Sequence, residues 1–212
     1  MTAAATRPIK LYRFALSGHA HRAELFLSLL RLPFESIDVD LTKGEHKRPE
    51  FLAMNPFGQV PVIDDGGNIV ADSNAILTYL ALRYGDASWL PRDPLGAARV
   101  QRWLSVAAGP LAYGPARARV LVLFRRPDDP TECIAAAHAL FKVMEQTLSA
   151  SKFLVHDNPT IADVALYSYT AHAPEGNVPL TDYPLLRGWL KRIEALSGFV
   201  PMVHSRIGLA AA

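Results

Sequence analysis

The sequence is poor in cysteine, because Cys133 is the only one among 212 residues. A disulfide within the chain is therefore excluded, and the composition fits a reducing compartment. No segment reaches the roughly 18 consecutive apolar residues that a membrane-spanning helix needs. Residues 1–8 lack the apolar run of a secretory signal, so we expect a cytoplasmic location.

A strong excess of charge is also missing, since 22 basic residues stand against 20 acidic ones. We therefore expect neither a nucleic-acid partner nor a membrane partner, because both require basic residues gathered on one face. One basic cluster lacks an interleaved aromatic stacking platform, and we interpret it as a solvated helix face. Its members are Arg117, Arg119, Arg125 and Arg126.

Strands and helices alternate in the first part of the chain, up to about residue 86. The predicted elements are a strand at Ile9–Phe14, a helix at His19–Leu32, a strand at Glu35–Leu41, a short helix at Pro49–Met54, strands at Val60–Asp64 and Ile69–Ala71, and a helix ending at Gly85. The last two strands flank Asp-Gly-Gly-Asn, a strong hairpin signal because these residues tolerate positive φ. This order is βαβ followed by ββα.

After a linker at Asp86–Pro94, every periodic segment is helical. One of these helices opens with a capping box at Thr160–Asp163 and is hydrophobic nearly all round, which predicts a buried helix. The sequence therefore predicts an α+β fold, with a mixed domain at residues 8–86 and an all-helical domain at residues 95–206.

Three segments carry candidate chemistry, although each also has an ordinary structural interpretation. Ser17 follows the first strand and begins a helix, so it could simply be an N-cap. Asp72-Ser73 could be another cap. Val60-Pro61 could mark the start of an edge strand, where the missing proline N–H does no harm.

Together and in this order, these segments resemble the glutathione transferase superfamily over essentially the whole chain. The residues that carry the resemblance are Ser17-Gly18, Gly44–His46, Pro49–Leu52, Asn55–Pro61, Ala71–Ile76, Pro159–Asp163, Tyr183–Leu186 and Trp189-Leu190. The resemblance implies a thioredoxin-like N-terminal domain that binds glutathione as co-substrate and a helical domain for the second substrate.

The resemblance also implies a place for each part of glutathione. Asp72 and Ser73 would hold the γ-glutamyl end at a helix N-terminus, which favours an anion. A cis Pro61 would turn the Val60 backbone outward to pair with the cysteinyl part as an added strand does. Gln59 and His46 match positions that bind the glycyl end.

The resemblance implies that Ser17 donates a hydrogen bond to the glutathione sulfur, a role compatible with capping the helix. His19 and His21 lie close to it in sequence and either touch the ligand or are solvated.

The Ser-Ser-x-x-x-Arg pattern of maleylacetoacetate isomerases is absent, and Cys133 lies in the helical half, where we expect an inert thiol.

The implied activity is conjugation of the glutathione thiolate to an apolar electrophile, as in detoxification. Candidates for the second-substrate pocket are Tyr113, Arg117 and Tyr167, because such pockets are mostly apolar with a few polar anchors. A glutathione-dependent peroxidase or isomerase, or a non-catalytic binding module, stays open as an alternative. The family also implies a homodimer, in which Phe57 is either an aromatic key or a residue folded onto its own core.

Histidines are scattered in the sequence and lack the spacing of metal ligands. We therefore expect no metal site.

Overall fold

The computed structural model describes residues 7–211. The prediction that residues 1–8 are not a secretory signal therefore falls mostly outside the described part, at residues 1–6. The chain forms two compact units. The first runs to Leu90 and takes in Leu196–Met202, while the second comprises Pro91–Ala195 and the chain from Val203 onward. The domain bounds 8–86 and 95–206 stay predictions, and they do not anticipate the return of Leu196–Met202 to the first unit.

Four strands form the sheet of the first unit. They are β1 (Ile9–Arg13), β2 (Phe34–Asp38), β3 (Val62–Asp65) and β4 (Asn68–Ala71), in the spatial order β2-β1-β3-β4. β1 and β2 are parallel, whereas β3 is antiparallel to both β1 and β4. Leu11, at the centre of the sheet, is fully buried between its partners Ser36 and Ile63.

The described part of the first unit also contains three α-helices, α1 (Gly18–Leu29), α2 (Pro49–Met54) and α3 (Ser73–Arg83), and a 3-10 helix at Glu45–Lys47. α1 ends three residues before the predicted Leu32, because Arg31 adopts a φ of 55° that no helix continues. Residues 196–202, far along the chain, return to α1. There the Ser28 hydroxyl donates to Gly198 O at 2.6 Å, and Arg31 Nη2 donates to Ser197 Oγ at 2.8 Å.

The second unit is helical. Its elements are α4 (Pro94–Ala108), a π-helical turn (Ala112–Ala116), α5 (Arg117–Leu123), α6 (Thr131–Leu148), α7 (Ile161–Ala171), α8 (Pro184–Glu194) and 3-10 helices at Ala173–Gly176 and Gly208–Ala211. α7 is buried along nearly its whole length, as its all-round hydrophobicity predicts. The interpretation of residues 117–126 as a solvated face is wrong for Arg119, which is 1% exposed because it pairs with the buried Glu175.

The capping box of α7 fixes the start of this central helix. Thr160 N donates to Asp163 Oδ2 at 2.8 Å, and Ala162 N donates to Thr160 Oγ1 at 3.2 Å. Trp189 Nε1 donates to the other carboxylate oxygen of Asp163 at 2.9 Å, which ties α8 to the same point. Within the described residues, no helix is long and apolar enough to cross a bilayer.

Candidate functional site

A pocket of about 770 Å³ lies in the first unit, where the loop after β1, the α2–β3 loop and the start of α3 meet. The structure brings together in its lining every residue that the sequence assigned to glutathione and to the catalytic serine. These residues are Ser17, His46, Gln59, Val60, Pro61, Asp72 and Ser73.

Ser17 is the N-cap of α1, and its hydroxyl oxygen accepts a hydrogen bond from Ala20 N at 3.2 Å. Among the described residues, none accepts the proton of this hydroxyl. A serine hydroxyl offers one donor and two acceptor positions, so the cap leaves the donor available to a ligand in the pocket. Capping and ligand binding by Ser17 are therefore compatible.

Asp72 combines a cap with a strained backbone. Its φ of 72° lies in the region that non-glycine residues rarely occupy, and such strain clusters at functional sites. Its Oδ1 accepts from Asn74 N at 2.8 Å and from Ala75 N at 3.1 Å. No described residue donates to Oδ2, so one carboxylate oxygen stays available to a cationic group.

The loop before β3 is shaped by Asn55, which is 4% exposed. Its Nδ2 donates to Gln59 O at 2.8 Å, and Gly58 N donates to Asn55 O at 2.8 Å. The Val60–Pro61 peptide bond that follows is cis. The residues of this loop line the pocket, and among them Phe57 is 77% exposed.

His46 and Lys47 supply the basic side of the pocket. Lys47 Nζ donates to Phe57 O at 3.2 Å and to Gly58 O at 3.3 Å, which leaves a third donor of its ammonium group. The buried Nδ1 of His46 has no hydrogen-bond partner among the described residues. Because buried polar atoms are nearly always hydrogen-bonded in native proteins, His46 Nδ1 is suited to bind a polar ligand group.

The sequence left open whether His19 and His21 are solvated, and the structure shows that neither extends freely into solvent. His19 lines the pocket, and burial together with the nearby charge of Arg22 lowers its pKa to about 3. His21 is 2% exposed, with Nε2 2.9 Å from Val200 O. His19 is therefore a neutral part of the pocket wall at neutral pH.

Two family models match the chain. The N-terminal domain of glutathione S-transferase matches residues 7–82, and the C-terminal domain of the same family matches residues 107–197. The chain belongs to the glutathione S-transferase family. The predicted superfamily, fold class and glutathione transferase function are thereby confirmed.

Curated relatives span nearly the whole chain. Glutathione S-transferase 3 of Zea mays is 33% identical over 204 residues, which is 91% of this chain and 91% of the relative. Maleylpyruvate isomerase of Ralstonia sp. is 33% identical over 189 residues, covering 84% of this chain and 89% of the relative.

Solved structures of glutathione transferases share the fold. A glutathione S-transferase from Pseudomonas fluorescens has a TM-score of 0.87 and 33% identity, covering 93% of this chain and all of that one. A homologue from Drosophila mojavensis with bound glutathione has a TM-score of 0.81 and 30% identity, covering 89% and 88% of the two chains. Glutathione as the co-substrate of the family is thus supported by a structure that contains it.

Sequence reasoning missed several residues of this pocket. Lys47, Asn55 and Leu41 line it together with the predicted set. The Asn-Pro pair at 55–56 signals a turn that an asparagine side chain can stabilise, and Lys47 adjoins the predicted His46. No sequence pattern marked Arg22, whose guanidinium contacts Ser73 from a position 51 residues earlier.

The proposed second-substrate residues have different environments in the second unit. Tyr113 is 75% exposed, and Arg117 forms an ion pair with Asp128 at 3.0 Å. Tyr167 is buried, and its hydroxyl donates to Glu194 at 3.0 Å. Burial and the neighbouring Glu194 raise the pKa of Tyr167 well above its ordinary value. The second-substrate role of these residues stays a prediction.

A histidine–glutamate cluster in the second unit corrects the expectation that the histidines are scattered. The potential ligand atoms of His172, Glu175 and His204 lie within 4.8 Å of one another. Glu175 accepts from Arg119 Nε at 2.7 Å and from Ser205 N at 2.9 Å, and its Oε1 lies 2.7 Å from His172 Nδ1. These contacts place Glu175 in a buried network with Arg119 and His172.

Proposed function

We propose that this chain binds glutathione along the pocket and conjugates its thiolate, stabilised by Ser17, to an apolar electrophile. The observation that carries this proposal is the geometry of the Ser17 hydroxyl, which caps α1 through its oxygen and keeps its proton for a ligand. The sulfur of the bound peptide would accept that proton in a hydrogen bond.

The energy required matches what Ser17 can supply. A free thiol has a pKa near 8.5, so only a few per cent is thiolate at pH 7. Lowering this pKa by about two units requires roughly 2.7 kcal/mol in favour of the charged form. One hydrogen bond to a charged group contributes about 1.5–3 kcal/mol, and a helix N-terminus adds about 0.3–1 kcal/mol.

The rest of the pocket suits the other parts of glutathione. Asp72 Oδ2 is available to the γ-glutamyl ammonium group, and Ser73 at the start of α3 is available to the γ-glutamyl carboxylate. The Val60 backbone would pair with the cysteinyl part. His46, Lys47 and Gln59 would hold the glycyl carboxylate, because a cation and an unpaired buried nitrogen lie on that side.

The chemical step is a nucleophilic displacement or addition. The thiol proton leaves to solvent, the sulfur forms a bond to the electrophilic carbon, and either a leaving group departs or a neighbouring atom takes up a proton. Holding both reactants in position supplies much of the rate.

The test combines retention on immobilised glutathione with turnover of a panel of electrophiles. We expect wild-type protein to be retained and active, and Ser17→Ala to be retained but about 10- to 100-fold slower, with less thiolate absorbance. The matched control is Asp93→Ala, which removes the N-cap of α4 and its 2.8 Å bond from Gly96 N in the second unit, and Asp93 is not one of the residues that line the pocket. Unchanged turnover in Ser17→Ala would contradict the serine mechanism. Retention without turnover of any electrophile would indicate a binding module.

A second candidate is glutathione-dependent isomerisation, which the similarity to maleylpyruvate isomerase favours. In such a reaction the thiolate adds to a double bond, the resulting single bond rotates, and the same thiolate leaves. The two candidates differ in stoichiometry, because conjugation consumes one glutathione per product whereas isomerisation consumes none. Thiol titration during turnover of a cis-dicarboxylate would distinguish them.

We also propose a cytoplasmic homodimer. The single cysteine fits a reducing compartment. The 77% exposure of Phe57 favours an aromatic key over a residue folded onto its own core. Sedimentation analysis should show a weakened dimer for Phe57→Ala, whereas an unchanged dimer would contradict the key.

A further inference from the structure

Arg22 is a buried cation directly behind the pocket wall. It lies on α1, five residues after Ser17, and is 1% exposed. Removing a guanidinium from water costs several kcal/mol unless good hydrogen bonds compensate. A residue of this kind therefore needs a structural or functional reason.

The guanidinium connects α1 to the start of α3. Its Nη1 donates to Ser73 Oγ at 2.8 Å and to Asn74 Oδ1 at 2.9 Å. An arginine has only donors, so the oxygen of Ser73 is the acceptor in this contact. The proton of the Ser73 hydroxyl must consequently point elsewhere.

Two destinations exist for that proton. One is His19 Nδ1, which lies 3.5 Å from Ser73 Oγ, at the limit of a hydrogen bond. The other is a ligand in the pocket, whose lining includes both Ser73 and His19. A carboxylate is the stronger acceptor, because hydrogen bonds to ionised groups are about twice as strong as neutral ones.

The positive charge of Arg22 affects the pKa of His19 in the pocket wall. Burial first, and then the charge of Arg22, lower the pKa of His19 to about 3. The same charge that disfavours a cation at His19 favours an anion at this end of the pocket.

We infer that Arg22 is a positioning residue for glutathione: by donating to Ser73 Oγ from behind the wall, it directs the serine proton to the γ-glutamyl carboxylate. The inference rests on the proposed function, because it requires glutathione to lie along this pocket. Arg22 lies outside the pocket lining and acts mainly through Ser73, with its charge adding to the effect.

A purely structural Arg22 would tie α1 to α3 and affect all ligands alike. A positioning Arg22 acts only on ligands that carry the γ-glutamyl carboxylate. Two glutathione analogues separate these roles. 4-Aminobutyryl-cysteinylglycine lacks that carboxylate, whereas glutaryl-cysteinylglycine keeps it and lacks the ammonium group.

The experiment measures dissociation constants of all three peptides for wild type and Arg22→Gln. We expect the variant to lose about tenfold in affinity for glutathione and for the glutaryl peptide, and less than twofold for the 4-aminobutyryl peptide. At saturating glutathione, kcat should stay within about twofold of wild type, because the variant leaves Ser17 in place. Arg31→Gln, which removes an arginine just after the same helix, is the matched control and should change none of these values.

A double-mutant cycle tests the route through Ser73. In a Ser73→Ala background, Arg22→Gln should cause a clearly smaller loss of glutathione affinity than in wild type, since only the effect of its charge remains. Additive losses, or equal losses for all three peptides, would overturn the inference.

Ser73→Ala alone keeps the test valid should Arg22→Gln not fold. The affinity of Ser73→Ala must then fall for glutathione and for the glutaryl peptide, which both carry the carboxylate. An equal loss of affinity for the 4-aminobutyryl peptide would overturn the inference. Failure of wild-type protein to bind glutathione would instead reject the proposed function, so the two failures can be told apart.

Discussion

Among the described residues, each unit buries one arginine, and the two are held in different ways. Arg119 in the second unit pairs with the carboxylate of Glu175 at 2.7 Å, and both side chains are 1% exposed. Arg22 in the first unit donates to the hydroxyl of Ser73 and the side-chain oxygen of Asn74, at the edge of the pocket. The first contact joins two opposite charges, and the second joins a charge to two neutral groups, of which Ser73 lines the pocket.

The two arginines should therefore differ in whether their loss affects the free energy of unfolding or the affinity for a ligand. A buried ion pair is complete within its unit, so its loss leaves an uncompensated charge in the core. Hydrogen bonds to neutral groups beside a pocket orient those groups for a ligand, so their loss should appear mainly in binding. Loss of Arg119 should therefore have the larger effect on the free energy of unfolding, and loss of Arg22 should have the larger effect on ligand affinity.

Arg119→Met should give the largest effect on stability. Removing one partner of a buried ion pair costs about 3–5 kcal/mol of the free energy of unfolding, because Glu175 stays buried without its cation. Urea denaturation measures this loss, and glutathione affinity of the folded fraction should not change. The double variant Arg119→Met/Glu175→Leu should recover part of the stability. A loss below about 1 kcal/mol in the single variant would contradict the assignment.

Acid should weaken the second unit through the same network. Burial lowers the pKa of His172, outweighing the attraction of Glu175, while Arg119 and His204 add to the lowering. Burial raises the pKa of Glu175, but the Ser205 N–H, His172 and Arg119 more than offset it, so the net pKa is lowered. Both shifts stabilise the folded state above the unfolded pKa values, and that stability is lost as pH falls through the folded ones.

The free energy of unfolding should therefore fall as pH decreases below about 6.5, the ordinary pKa of histidine. His172→Asn keeps a donor for Glu175 but does not titrate, so its curve of stability against pH should be flatter. Some dependence should persist, because His19 in the first unit also has a lowered pKa. A variant curve parallel to that of wild type would show that His172 does not contribute.

Sequence patterns predicted the elements better than the contacts between distant segments. The short helix Pro49–Met54 has its predicted bounds. β2 was predicted to reach Leu41, because hydrophobic residues alternate that far, but it ends at Asp38. Its partner β1 ends at Arg13, which is in register with Asp38, so no strand remains to pair with the later residues. Alternation reports burial and cannot report where a neighbouring strand stops.

The site could be predicted where the residues that contact each other are close together in the sequence. Ser17 and Asp72 cap helices within three residues of themselves, so their motifs contain the whole contact. Arg22 and Ser73 are 51 residues apart, and Arg119 and Glu175 are 56 apart. Only the fold brings such pairs together, which explains why the solvated interpretation of Arg119 was wrong.

Asp72→Gly should give the smallest change in stability and a clear loss of affinity. The φ of 72° costs an aspartate about 1–3 kcal/mol and costs glycine almost nothing. Against this gain stand the greater flexibility of glycine in the unfolded chain, about 0.5–1 kcal/mol, and a few tenths for the cap. The free energy of unfolding should therefore rise by about 0–2 kcal/mol.

Glutathione affinity of Asp72→Gly should nevertheless fall, because the carboxylate proposed to bind the γ-glutamyl ammonium group is gone. Asp72→Ala is the matched control: it loses the same carboxylate but keeps the strain, so it should be less stable than wild type by about 1 kcal/mol. Thermal unfolding and glutathione titration of both variants measure the two effects. A glycine variant that is less stable than the alanine variant would show that the Asp72 backbone is not strained. The positive φ of Asp72 would then not indicate that the backbone is held in place for binding at the expense of stability.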